Sequence, residues 1–437
     1  MNESPAIGNT LISRKVIAII SLILAGEIIF ALPFHLARFF RPTMLEVFEL
    51  TATQLGAAQG LYGLVAMFSY FPGGLLADRF STHKLLATSL WMTSLGGLYL
   101  ATFPGYIESL LVFAFFGFTT IMLFWGALIR ATREWGGLQQ QGAAFGLLEG
   151  GRGLLAVCLA SLGVLLFELS FPDGYSTATI SEKQHTFSIV IYAYTLVTLL
   201  IGILVWFSLK THSTPSQENL TKSISAYFFA NIKNVIQIPT VQWQALIVLC
   251  AYAGYKGLDH LSLYAVDAYH YDSIQAAKLV TLAAWIRPVA AILAGIIADR
   301  TNPIKMLMLS FSVFFLANLC FALLTPAPNL AWILIANVMI TCTAVFALRA
   351  LYFAVFEHYQ LPRTLTGSAV GLISVIGFFP DVFILYIAGR LVDTYPGVQG
   401  HQFFFMLLAV FAFTGLLASL KLKKNSERIM GKVLRPI

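Results

Sequence analysis

The amino-acid sequence predicts an all-α membrane protein of twelve transmembrane helices in two pseudo-symmetric six-helix bundles, and three observations predict it. Of its 437 residues 58% are hydrophobic and only 11% charged, where an average soluble domain carries about 25% charged residues. Runs of about 20 mostly apolar residues, enough to cross a bilayer as a helix, recur from Val16 almost to Leu422 with short polar breaks. Segments of the first half also recur, in the same order, in the second.

The apolar runs place spans near 16–40, 52–77, 85–103, 108–132, 142–169 and 187–209, then near 240–266, 274–298, 305–325, 330–356, 367–391 and 402–422. The first bundle therefore takes residues 1–209. A polar stretch rich in Ser, Thr, Asn and Lys, 210–234, reads as a cytoplasmic linker, and 235–437 form the second bundle with a basic cytoplasmic tail. The first run is too long for a cleavable signal and lacks a small-residue cleavage site, so it is expected to stay as helix 1. Cys158, Cys250, Cys320 and Cys342 all lie inside apolar runs, as small buried hydrophobes and not as disulfide or metal partners. The net charge of +7 is a matter of topology. With both termini in the cytoplasm, the inner loops collect Arg14, Lys15, Arg79, Lys84, Arg130, Arg133 and the tail cations, while the outer loops carry mainly Glu and Asp. No nucleic-acid partner is implied; the expected partners are the lipid bilayer and a small molecule.

The internal repeat is specific. Gly73-Gly-Leu-Leu-Ala-Asp-Arg-Phe-Ser-Thr-His-Lys84 matches Ala294-Gly-Ile-Ile-Ala-Asp-Arg-Thr-Asn-Pro-Ile-Lys305. Gly142-Ala-Ala-Phe-Gly-Leu147 matches Gly367-Ser-Ala-Val-Gly-Leu372 at nearly the same offset. Parallel halves of this kind are a known plan of secondary transporters, with the substrate site at the repeat interface.

The signature Gly74-x-x-x-Asp78-Arg79, repeated as Gly295-x-x-x-Asp299-Arg300, resembles the loop motif of the major facilitator superfamily, and the resemblance covers essentially the whole chain. Ser81, Thr82 and His83 stand where that motif carries a glycine and basic pair. The resemblance implies that helices 1, 4, 7 and 10 line a central cavity. It also implies that Asp78, Arg79, Asp299 and Arg300 act as a conformational charge relay at the cytoplasmic gate. More finely, Phe34-His-Leu-Ala-Arg38, Tyr255-Lys256-Gly257 and the run from Gln141 to Gly153 resemble the organophosphate:phosphate antiporter branch and its sugar-phosphate-permease-like relatives. That likeness implies a phosphate held by one cation on helix 1, Arg38, and one on helix 7, Lys256.

An ionised side chain at the membrane centre costs about 2.5–3.5 kcal/mol on insertion scales, so each needs a partner, an aqueous cavity or a function. Glu27, Glu149, Arg152, Lys256, Arg287, Arg349 and Asp381 fall well inside the spans, with Arg38 in the outer part of helix 1. Cations outnumber carboxylates in this set, and guanidinium groups match carboxylate or phosphate oxygens in bidentate geometry, so a small organic anion is the expected substrate. Arg38, Arg152, Lys256 and Arg349 are its candidate ligands. Glu149 and Arg152 lie three residues apart on one helix face, and Lys256 has Asp259 and His260 at i+3 and i+4, so local pairing competes with substrate contact at both. Glu27, Glu149 and Asp381 are candidate proton-coupling groups or permanent partners of the buried cations.

No phosphate-cradling loop, metal-ligand spacing or serine elbow is present in the sequence, so neither an enzyme nor an ATP-driven pump is expected, and no cofactor is implied. The expected activity is alternating-access transport of an organic anion, driven by a proton gradient or by anion exchange, by a monomer in a bacterial inner membrane. The alternatives are a proton-coupled carrier of a zwitterion such as an amino acid, and a transporter-like membrane sensor.

Overall fold

The computed structural model describes residues 5–137, 140–209, 235–352, 363–395 and 397–433. The expected linker, 210–234, and the last residues of the tenth expected span, 353–356, lie outside the described residues. Among those described, the regular elements are all helical.

In the first half, α1 runs Pro5–Ile28 and continues through a π-helical turn, Ala31–His35, into Leu36–Phe39. It is followed by a short helix, Arg41–Val47, then α2 (Ala52–Arg79) and α3 (Thr82–Leu100). α4 comprises Tyr106–Gly117, a π-helical stretch Phe118–Trp125, and Gly126–Gly136. α5 is Gln141–Ser170 and α6 is Ile180–Ser208. In the second half, α7 is Pro239–Gly257, a 3-10 turn Leu258–His260, and Leu261–Tyr269. α8 is Ser273–Ala284 and Ile286–Arg300; α9 is Pro303–Leu323; α10 is Ala331–Leu351. α11 is Arg363–Gly377 and Pro380–Thr394, and α12 is Val398–Val433. Ten of these helices are long and apolar enough to cross a bilayer; α3 and α7 are not among them. Large apolar side chains such as Leu95, Leu111, Phe207, Leu316 and Trp332 are exposed, a surface that only hydrocarbon solvates without penalty.

Three helix ends differ most from the sequence reading, the first being the start of α1 at Pro5 instead of near 16. α6 begins at Ile180 instead of near 187 because Thr179 and Glu182 form a reciprocal capping box. This adds two turns carrying Lys183, whose ammonium lies 2.7 Å from Glu46. α12 runs past 422 to Val433 through a Lys-rich segment in which Lys423 and Glu427 lie 3.8 Å apart.

Three helices are interrupted where a proline removes the donor for the carbonyl four residues earlier. Pro33 would bond Ile29, and α1 turns at Ile29–Phe30. Pro288 would bond Ala284, and α8 turns at Trp285. Pro380 would bond Ile376, and α11 turns at Phe378–Phe379. Pro72 lies within α2, which stays continuous.

The chain divides into two compact units, Met1–Leu50 with Leu61–Glu218, and Thr51–Gly60 with Asn219–Ile437. In the first, α3 packs on α6, and α1 on α5 and α6. In the second, the corresponding pairs recur: α9 on α12, and α7 on α11 and α12. The first residues of α2 belong to the second unit, where Asp393 of α11 accepts the N–H groups of Ala52 at 3.2 Å and Thr53 at 2.8 Å. A Cβ at Gly389 would meet the Ala52 backbone, and one at Gly56 the Leu385 carbonyl, so glycine is what allows these two backbones to approach.

Candidate functional site

Each unit holds a buried charge cluster beside a proline break. In the first unit, Glu27 sits at the end of the first segment of α1. The wide turn Ala31–His35 brings His35 back over it, Nε2 to Oε1 3.2 Å. Arg152 reaches across from α5, with Nε 3.2 Å from Glu27 Oε2 and Nη1 2.5 Å from Glu149 Oε1. Its guanidinium carbon lies 5.6 Å from the Phe30 ring centroid and 5.7 Å from that of Trp125, within cation–π range. The approach depends on missing side chains. A Cβ on Gly26 would lie 3.1 Å from Arg152 Cδ, and one on Gly151 would lie 2.6 Å from the Ile23 side chain. Glu27 and Arg152 are buried, whereas the Glu149 side chain is 49% exposed.

In the second unit, Lys256 of α7 is buried between two carboxylates, 3.1 Å from Asp259 Oδ2 and 3.3 Å from Asp381 Oδ1. Asp381 follows the break in α11 directly and also accepts the Tyr252 hydroxyl at 2.9 Å. Tyr255, on the next turn of α7, carries the Arg349 guanidinium of α10 over its ring at 4.0 Å.

The clusters occupy the same helix pair in the two units, α1 with α5 and α7 with α11, at different registers. By the repeat, Glu27 corresponds to Val248 and Arg152 to Gly377. There the second unit has a close apolar approach, since a Cβ on Gly377 would strike the Val248 side chain. Lys256 and Asp381 correspond to His35 and Ala156. The scaffold is shared and the charges are not.

The structure thus brings together Glu27, Glu149 and Arg152, and separately Lys256 and Asp381. Arg38 is half-buried on the last turn of α1, and Arg287 is half-buried just after the turn in α8. Asp78 and Arg79 are exposed at the end of α2. Arg130 caps that helix end, Nη1 donating to the Ala77 carbonyl at 2.6 Å while Nε holds Glu134 at 2.7 Å. Arg300 is exposed at the end of α8, and the side chain of Asp299 lies outside the described residues. His35 entered the sequence reading only as part of a motif, and Arg41, which is fully buried, lay past the expected end of helix 1. The proline six residues after Glu27 was the available signal for His35, because a break there turns the following residues back.

These paired helices, apolar surfaces and buried intramembrane charges define a membrane transporter. The sequence profile of the Major Facilitator Superfamily matches residues 23–383, and the chain belongs to that family. It is 28% identical over 423 residues to the inner membrane protein YihN of Escherichia coli K12, covering 96% of this chain and 98% of the relative. It is 27% identical over 394 residues to the inner membrane protein YqcE of the same organism, covering 89% and 90%. Among solved structures, a mutant of the nucleoside transporter NupG matches with a TM-score of 0.73 at 14% identity, covering 94% of this chain and 99% of NupG. The protein is accordingly an integral protein of the inner membrane.

Proposed function

We propose that the protein is a secondary active transporter that moves a small organic anion by alternating access, with proton binding to its buried carboxylates coupled to substrate binding. The observation that supports this most directly is the pairing of each central cation with two carboxylates: Arg152 with Glu27 and Glu149, Lys256 with Asp259 and Asp381. A guanidinium already engaged by two acids binds a further anion only when one acid is neutralised or displaced, because three negative charges around one positive charge are unfavourable at low dielectric. Protonation of a carboxylate releases the cation to the substrate, so anion and proton bind together. Arg38, Arg152, Lys256 and Arg349 are the proposed substrate ligands, and Glu27, Glu149 and Asp381 the proton-linked partners. The aromatic faces of Phe30, Trp125 and Tyr255 keep the guanidinium groups oriented when a carboxylate leaves. Both termini are proposed to be cytoplasmic, on the distribution of Lys and Arg.

The test is a thermal-shift screen of purified protein against organic anions, phosphate esters and amino acids, followed by uptake of the best ligand into proteoliposomes. Accumulation driven by an imposed pH gradient is expected. Uptake that ignores the gradient but accelerates with anion trapped inside the vesicles would replace proton coupling by exchange. Stabilisation by neutral or zwitterionic compounds alone would overturn the anion assignment.

A further inference from the structure

A second polar chain runs through the second unit, separate from the charges that would meet a substrate. His260, in the 3-10 turn of α7, and His401, in the first turn of α12, are both fully buried, with His260 Nε2 2.8 Å from His401 Nδ1. His401 Nε2 lies 2.9 Å from Asp267 Oδ2, and the Asp267 side chain is 32% exposed near the end of α7. Aromatic rings enclose the pair: Phe404 at 4.7 Å from the His260 ring and Tyr264 at 5.4 Å from the His401 ring. Other titratable or charged groups also lie around it. On α7 these are Asp259, which is adjacent in sequence and paired with Lys256, and Tyr269, bonded to Tyr264. α9 contributes Cys320 near Tyr264, α11 contributes Asp381 through Lys256, and Asp272 at the start of α8 is engaged in capping its own helix at Gln275.

An imidazole pair buried among aromatic rings is expensive to keep polar unless the hydrogen bonds are complete or the site works. Packing alone does not require two histidines joined nitrogen to nitrogen and then to a carboxylate that reaches water. We propose that Asp267, His401 and His260 form a proton relay from the aqueous end of α7 to His260, the residue next in sequence to the Asp259 that pairs with Lys256. The inference deepens the proton-coupled reading above by naming the route.

The proton steps balance in either direction. With Asp267 ionised, His401 Nε2–H donates to Asp267 and His260 Nε2–H donates to His401 Nδ1. When His260 carries the extra proton, it passes its Nε2 proton to His401 Nδ1, His401 passes its own Nε2 proton to Asp267, and Asp267 releases one proton to water. The reverse sequence starts with protonated Asp267 donating to His401 Nε2; His401 passes its Nδ1 proton to His260 Nε2, and the proton is then held on the cationic His260 ring. Each passage exchanges the tautomers of both rings and moves one proton.

The test needs no substrate, so an error in the anion assignment leaves it intact. In a pH 8 to pH 5 series on purified wild-type protein with 15N-labelled histidine, any pH response of the His260 and His401 resonances should be shared by both as one coupled pair, assigned with His260→Gln and His401→Gln. Indicator-dye measurements should show each of these variants taking up about one proton fewer than wild type over the same range. Asp267→Asn, at a partly exposed position, should fold normally and alter the titration of both histidines although it touches only His401. Resonances that stay unchanged over this range, that titrate independently, or that ignore Asp267→Asn would show a static hydrogen-bonded chain and overturn the relay. A relay that titrates as described in a protein whose transport ignores pH gradients would leave the proton site standing and remove the coupling.

Discussion

Glu27 and Glu149 both hold Arg152, but in different surroundings, and their removal should not cost the same. Glu27 is buried with the guanidinium, while half of the Glu149 side chain is exposed. Breaking a buried ion pair by removing one partner costs roughly 3–5 kcal/mol, because the other charge stays uncompensated. A pair with a half-exposed partner contributes less, about 1 kcal/mol where the exposed face meets water. Arg152→Gln, which takes the guanidinium away from Glu27, should therefore be strongly destabilising. Glu27→Gln should cost somewhat less, because Arg152 retains Glu149, and Glu149→Gln should cost least. The double variant Glu27→Gln/Arg152→Gln replaces two opposed charges by two amides and should recover part of the loss, with a coupling energy of roughly 2–3 kcal/mol. Unfolding of the purified protein in mixed micelles, followed by tryptophan fluorescence, measures each corner of the cycle. Additive single effects, or a Glu149→Gln loss as large as that of Glu27→Gln, would refute the reasoning. The double variant, not Arg152→Gln alone, is then the informative one for substrate binding, because a failure to bind is not confused with a failure to fold.

Asp381→Asn leaves Lys256 paired with Asp259; in proteoliposomes it should retain downhill exchange of substrate and lose accumulation driven by a pH gradient. Gly389→Ala places a Cβ on the backbone of Ala52 and Thr53, atoms that cannot rotate away, and should cost about 1–3 kcal/mol by thermal unfolding. Gly146→Ala, with open space around the added methyl, should instead stabilise α5 by roughly 0.5–1 kcal/mol. Thr179→Ala removes the capping box of α6 and should cost about 1 kcal/mol, seen as faster amide exchange over residues 180–183.

Much of the fold was legible in the sequence because a bilayer imposes one strong rule: long apolar segments must satisfy their own backbone hydrogen bonds, so apolar run length reports helices directly. The repeated Gly-x-x-x-Asp-Arg segments pointed to the family as well. The helix interruptions were partly legible. Pro33, Pro288 and Pro380 mark lost backbone bonds, but Pro72 shows that a proline alone does not decide whether a helix turns there.

The candidate sites divide in the same way. Local pairs were open to a sequence reading because i and i+3 share a helix face: Glu149 with Arg152, and Lys256 with Asp259. Partners from other helices were not. That Arg152 meets Glu27, that Asp381 meets Lys256 and not an arginine, and that His401 meets both His260 and Asp267 depend on which faces of α1, α5, α7, α11 and α12 are turned inward. Composition and periodicity alone determined that this chain spans a membrane and keeps charges within it. Which charges neutralise one another was decided by tertiary packing, because helix rotation, and the glycines that let backbones approach, set distances that no spacing along the chain contains.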